Sequence, residues 1–190
     1  MIGSNAETAA VVTVLVIFFE CIGLRISIAG RKWGILAYYT QLSNLIALVS
    51  SLLYLVAAGT KAVTLLRFLT VSVLTMTFLI TVFVLVPMGG SAKKLLFSGN
   101  GLYHHVICPI LSVGSYFLWE QRVGSPWAIL LPVALTLVYG LTMVTLNGLR
   151  KYDGPYPFFR VHRQSGLATV IWLLVLLTVI GSISTALYFA

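Results

Sequence analysis

The sequence predicts an all-α, polytopic membrane protein folded as a single six-helix transmembrane bundle over residues 1–190. Three observations carry that reading. The chain is 59% hydrophobic and 8% charged, with a mean hydropathy of +1.03; a soluble domain would need a polar shell that this composition cannot supply. The apolar residues gather into runs of about 20, the length a helix needs to cross a bilayer. The runs also lack the alternation, in segments of about ten residues, that barrel strands show. The net charge of +8 is not a nucleic-acid footprint, because the basic residues fall in the short gaps between runs, where they set orientation.

The spans follow in order. The first, about 8–29, has Glu7 before it and no basic lead-in, so it reads as a span and not as a cleavable leader. It carries Glu20, with Arg25 towards its inner end. The second, about 36–58, opens with Tyr38-Tyr39-Thr40-Gln41-Leu42-Ser43-Asn44. The third, about 64–86, has Arg67 inside its boundary, where a long side chain can snorkel to the interface. Pro87-Met88-Gly89-Gly90 closes it. The fourth, about 101–119, holds His104, His105 and Pro109. The fifth, about 127–147, follows Gly124-Ser125-Pro126, and the sixth, about 167–189, follows an aromatic loop from Tyr152 to Phe159. No internal repeat, low-complexity tail or soluble domain interrupts this order. Cys21 and Cys108 lie within apolar runs and read as small core hydrophobes. No ligand set for a metal is legible, and no cofactor is expected.

Orientation follows from the loops. Arg31, Lys32, Lys93, Lys94, Arg150, Lys151, Arg160 and Arg163 fall in the odd-numbered loops, whereas Lys61, Arg67 and Arg122 fall in or beside the even ones. The imbalance places the odd loops in the cytoplasm and both termini outside. Thr40, the His104-His105 pair and the loop Gly154-Pro155-Tyr156-Pro157-Phe158-Phe159 then all lie at the inner membrane face.

That convergence matters because ionisable groups within spans are costly. Thr40, Ser43 and Asn44 sit at i, i+3 and i+4 and share one helix face. Ala47 and Ser51 extend it as a small, polar stripe suited to the bundle interior. Taken singly, such residues most often bond their own i−4 carbonyls. Beside a histidine, however, the Thr40 hydroxyl has a base to take its proton, and a hydroxyl is a weak nucleophile without one. Helix N-termini at the same face offer amides to a developing oxyanion. Glu20 should be paired or protonated, with Arg25, Asn44 or a hydroxyl of the second span as its partner. Pro109 removes the amide that would bond the His105 carbonyl, so a kink or open turn is expected there. On a helical wheel His105 shares its face with Cys108, Pro109, Ser112, Ser115 and Tyr116, a small and polar side. His104 shares its face with Ile107, Leu111 and Leu118, a side suited to lipid or core packing. The wheel therefore favours His105 over His104 as the base.

These residues also carry a resemblance. Tyr-Tyr-Thr-x-x-Ser-Asn early in the second span, His-His-Val-Ile-Cys-Pro in the fourth and Gly-Pro-Tyr-Pro-Phe before the sixth resemble the family of androgen-induced protein and androgen-dependent tissue-factor-pathway-inhibitor regulator. That family has six predicted spans and includes bacterial integral membrane proteins. Its animal members are threonine hydrolases of fatty acid esters of hydroxy fatty acids, acting through an intramembrane Thr and His. The resemblance implies Thr40 as nucleophile and His104 or His105 as base. The animal spacing, five residues before a proline, selects His104; the bacterial spacing of four selects His105.

The expected function is hydrolysis of a lipid ester, with catalytic Thr40, His105 and His104 and a substrate pocket formed by Glu20, Tyr39, Ser43, Asn44, Ser112 and Tyr156. The substrate would be a membrane lipid or lipid ester entering from the bilayer of a bacterial inner membrane, with no nucleic acid and no obligatory protein partner. The alternative is a non-enzymatic lipid- or small-molecule-binding protein, or a transporter, that uses the same polar pocket. The missing inverted repeat weighs against transport.

Overall fold

The computed structural model describes residues 2–190 and is all-α, with no strand among the described residues. Its α-helices are α1 (Ile2–Arg31), α2 (Tyr39–Ala57), α3 (Lys61–Ile80), α4 (Ala92–Leu96), α5 (Asn100–Leu102), α6 (Cys108–Leu118), α7 (Leu130–Gly148) and α8 (Gly166–Phe189). Five stretches are long and apolar enough to cross a membrane: Asn5–Ala37, Tyr39–Ala57, Lys61–Leu85, Pro126–Gly148 and Gly166–Phe189. The fourth expected span departs from the others. It is assembled from α5, a π-helical turn over Tyr103–Ile107, and α6, which has only 11 residues.

The break has a local cause, and it occurs twice. A second π-helical turn, Thr81–Leu85, continues α3. Each turn ends two residues before a proline, Pro87 in one case and Pro109 in the other. A proline lacks the N–H for the carbonyl four residues back, and its ring clashes with that carbonyl. The helix relaxes by widening, and the amide just before each proline reaches back five residues instead of four. Val86 donates to the Thr81 carbonyl at 3.0 Å, and Cys108 donates to that of Tyr103. π-Turns of this kind occur preferentially at functional sites.

The interior holds polar side chains beside an apolar core around Phe68, Met76, Tyr139, Phe159 and Ile180, and the outside is apolar. Thr13, Glu20, Asn44, Ser51, Arg67, Ser112 and Ser115 are buried, whereas Val11, Phe18, Leu52, Val138 and Leu174 are exposed. A soluble domain would show the reverse, and the arrangement suits a bundle surrounded by lipid. Cys21 is exposed, contrary to the core position expected for it. It follows Glu20 on α1, and a helical step of about 100° turns it outward when the carboxyl faces in. Cys108 is buried as expected. Arg67 does not snorkel either: its side chain is 1% exposed and forms a two-pronged pair with Glu120 at 2.7 and 2.5 Å. Ser51 accepts a further bond from the guanidinium at 3.1 Å. Glu120, at the far end of the fourth segment, gives the arginine a partner inside the bundle and removes any reason to reach for water.

The loops sort by parity. A cleft at one end of the bundle is lined from the α1–α2, α3–α5 and α7–α8 connections together. A groove at the other end is lined by residues 59–65 and 121–125, from the remaining two connections.

Candidate functional site

Thr40 is the second residue of α2, where helix geometry leaves amide N–H groups without an intrahelical acceptor. Its own N–H donates to the Tyr156 hydroxyl at 3.3 Å, and its Oγ1 meets the same hydroxyl at 3.3 Å. The Thr40 carbonyl accepts from Ser43 Oγ at 2.9 Å and from Asn44 Nδ2 at 2.6 Å. Ser43 and Asn44 thus play the ordinary back-bonding role, and Thr40 does not.

Tyr156 reaches Thr40 because its loop is held at several points. Asn147, 2% exposed on α7, donates to the carbonyl and carboxylate of Asp153 and accepts from the Val161 amide at 2.7 Å. The Tyr156 ring stacks on Phe158 at 5.3 Å and meets Tyr139 and Phe159 edge-on. Burial raises the Tyr156 phenol above its ordinary pKa, with the Thr40 hydrogen bonds opposing the shift. The group therefore stays a neutral hydroxyl able to donate.

The two histidines separate. His105 Nδ1 lies 2.7 Å from Thr81 Oγ1, so the two π-turns meet through this contact. The single hydroxyl proton of Thr81 goes to the Thr77 carbonyl at 2.8 Å. Nδ1 of His105 must then carry the hydrogen, which leaves Nε2 with the lone pair a base requires. His104 is fully buried and turned elsewhere, between Gln41 Nε2 at 3.2 Å and Glu20 Oε2 at 3.5 Å. The lipid- or core-facing side expected for it is not what forms, because the π-turn advances the phase of the residues before Pro109. Glu20 likewise departs from its expected partners: it faces His104 and neighbours the Cys108 thiol, while Arg25 is exposed.

Two cavities adjoin Thr40. The polar cleft, about 490 Å³, is lined by Thr40, Gln41, His105 and Tyr156, with Arg31 and Lys94 adding positive charge. The apolar crevice runs between α2, α3, α7 and α8 past Tyr39, Met76, Ile80, Tyr139, Phe159 and Leu176. Thr40, Tyr156 and Leu85 line both. Tyr39 belongs to the crevice alone, its hydroxyl donating to Thr136 at 2.8 Å. Glu20, Ser43, Asn44, His104 and Ser112 are buried but line neither cavity.

Gln41, Thr77, Thr81 and Asn147 were not singled out by sequence. Gln41 follows Thr40 directly, and Pro87, less than two turns beyond Thr81, was the available signal for a broken helix there. Among the described residues no group of three or more His, Cys, Asp or Glu side chains could hold a metal ion. No family model, curated protein or solved structure matches the chain.

Proposed function

We propose that the protein is a membrane hydrolase that cleaves a lipid ester, with Thr40 as nucleophile and His105 as general base. The carrying observation is the position of Thr40, on the seam between a polar cleft that contains His105 and an apolar crevice within the bundle. An ester whose carbonyl lies at Thr40 would put its polar remainder in the cleft and its acyl chain along the crevice, which at about 30 Å³ must widen between the helices to admit it. His105 Nε2 takes the Thr40 proton as Oγ1 attacks the carbonyl carbon, then returns it to the leaving oxygen. The Tyr156 hydroxyl and the Thr40 amide, at the positive end of α2, supply donors for the oxyanion. His104 lines neither cavity, so the base is assigned to His105 alone. The motif set resembling the androgen-induced-protein family supports the same pair.

In this reading the chain crosses a bacterial inner membrane six times, the fourth crossing being the composite helix over 100–118, about 28 Å long at 1.5 Å per residue. The end bearing the cleft faces the cytoplasm, by the excess of basic residues there. Lipid reaches the crevice from the bilayer.

The test is labelling of the purified protein by a fluorophosphonate. Wild type should label, Thr40→Ser should label more slowly or faster but not lose the signal, and Thr40→Ala should lose it. An unlabelled wild type, or a Thr40→Ala variant that labels normally, would overturn the reading and leave a binding protein or transporter as the use of this pocket.

A further inference from the structure

We infer that Gln41 positions the water that hydrolyses the acyl-Thr40 intermediate, and that Glu20 and His104 are positioning residues that hold the Gln41 amide for this task; the inference rests on the hydrolase reading above. Gln41 is next to Thr40 in sequence, lines the cleft and is 3% exposed. Its Nε2 donates to His104 Nδ1 at 3.2 Å. His104 Nδ1 then accepts, with the ring hydrogen on Nε2, which lies 3.5 Å from Glu20 Oε2 without a hydrogen bond between them. The ring is pinned from behind: a Cβ on Gly23 would overlap its Nε2 edge. Only glycine allows α1 to approach this closely, so the arrangement is built into the helix packing.

The consequence falls on the other end of the amide. Gln41 Oε1 is buried and has no hydrogen-bond donor among the described residues. A buried acceptor without a donor is costly. With the His104 hydrogen on Nε2, on the side of Glu20, Nδ1 can only accept, so the amide presents Nε2 to the ring and keeps Oε1 for the cleft. The Glu20–His104 pair thus keeps Gln41 presenting an oxygen, and a ligand must bring the donor.

The chemistry of the cleft selects that donor. An intact ester has no O–H, and its oxygens would be repelled by an acceptor. Water has two. After acylation, water oxygen attacks the carbonyl carbon of acyl-Thr40 while one water proton passes to His105 Nε2. The other O–H donates to Gln41 Oε1, which fixes the oxygen over the carbonyl. Collapse breaks the carbon–Oγ1 bond, His105 returns its proton to Oγ1, and the carboxylic acid leaves. Gln41 is unchanged throughout, and Thr40 is regenerated.

The test separates acylation from deacylation with a p-nitrophenyl ester of a medium-chain fatty acid, in detergent, with concentrations set by fluorophosphonate titration of folded sites. Gln41→Met keeps the length of the side chain and removes both the acceptor and the N–H that meets His104. It should release one equivalent of p-nitrophenolate at the wild-type rate, then turn over about 10²-fold more slowly, the scale of a misplaced reactant. The acyl group should accumulate on the Thr40 peptide by mass spectrometry. Glu20→Gln, which should fold even if Gln41→Met does not, should show the same split to a smaller degree. Steady turnover at the wild-type rate in Gln41→Met, or a burst slowed in the same proportion as turnover in either variant, would overturn the inference while leaving Thr40 as nucleophile. Absence of both turnover and Thr40-dependent labelling in wild type would instead bring down the hydrolase reading itself.

Discussion

Thr40 differs from four other buried threonines in where its hydroxyl goes. Thr70, Thr77, Thr81 and Thr136 each donate to the carbonyl four residues back, at 2.8 Å. Thr40 stands too near the start of α2 to do so, since Leu36 lies in the preceding 3-10 turn. Its Oγ1 is left to meet the Tyr156 hydroxyl. Tyr156→Phe keeps the stack on Phe158 and removes only the hydroxyl. It should slow fluorophosphonate labelling of Thr40 by about 3- to 10-fold, the net worth of one hydrogen bond. Thr81→Val keeps the β-branch and removes the acceptor that fixes the His105 tautomer. Turnover should fall by about 10²-fold, since the imidazole is then free to turn out of line. A Thr81→Val variant with wild-type turnover would mean that the π-turn contact does not orient the base.

Among the elements, the two π-turns meet through Thr81 and His105, and the prolines that cause them can be tested directly. Pro109→Ala restores an amide that can bond the His105 carbonyl, and the widened turn should close into ordinary α-helix. One residue's worth of phase is then lost, about 100° at this pitch, and His105 swings away from the cleft. Labelling of Thr40 should fall while thermal unfolding stays within a few degrees of wild type. Unchanged labelling in Pro109→Ala would show that the proline does not set the histidine's direction. The Arg67–Glu120 pair is the second link between elements, joining α3 to the residues just after α6. Glu120→Ala strands a buried guanidinium and should cost about 3–5 kcal/mol in stability. Replacing both partners at once, Arg67→Met with Glu120→Leu, should restore most of it. If the double variant is no more stable than the single one, the pair has a role beyond mutual neutralisation.

For the whole molecule, the arrangement of loops gives the two ends of the bundle different linings. The cleft end gathers Arg31, Lys94, Thr40, His105 and Tyr156; the opposite groove has Lys61 and Arg122 on its lining and the Arg67–Glu120 pair in the bundle nearby. Exposed Trp33 and Trp127 lie towards opposite ends, where aromatic rings sit at membrane interfaces. Single cysteines placed at Lys93 and at Gln121, in a background lacking Cys21 and Cys108, should react with an impermeant maleimide from opposite sides of the membrane. Lys93→Cys should react only from the cytoplasm. Reaction of both from one side would end the six-crossing topology.

Helical class and the end of the bundle at which Thr40, the histidines and the aromatic loop meet were determined by the sequence, because apolar run length and the spacing of basic residues are local properties. The parity of connections alone brings odd loops together, whatever the details of packing. What the tertiary structure decided was direction. Whether His104 or His105 lines the cleft depends on a π-turn, and a wheel drawn at 3.6 residues per turn cannot include one. Glu20 meets His104 because Gly23 lets two helices close to a distance no pattern of single residues announces. Arg67 turns inward because Glu120, 53 residues away along the chain, arrives at the same depth. Gln41 shows the difference most plainly: its position beside Thr40 is legible in the sequence, but what its amide meets is decided by a buried imidazole 63 residues away along the chain.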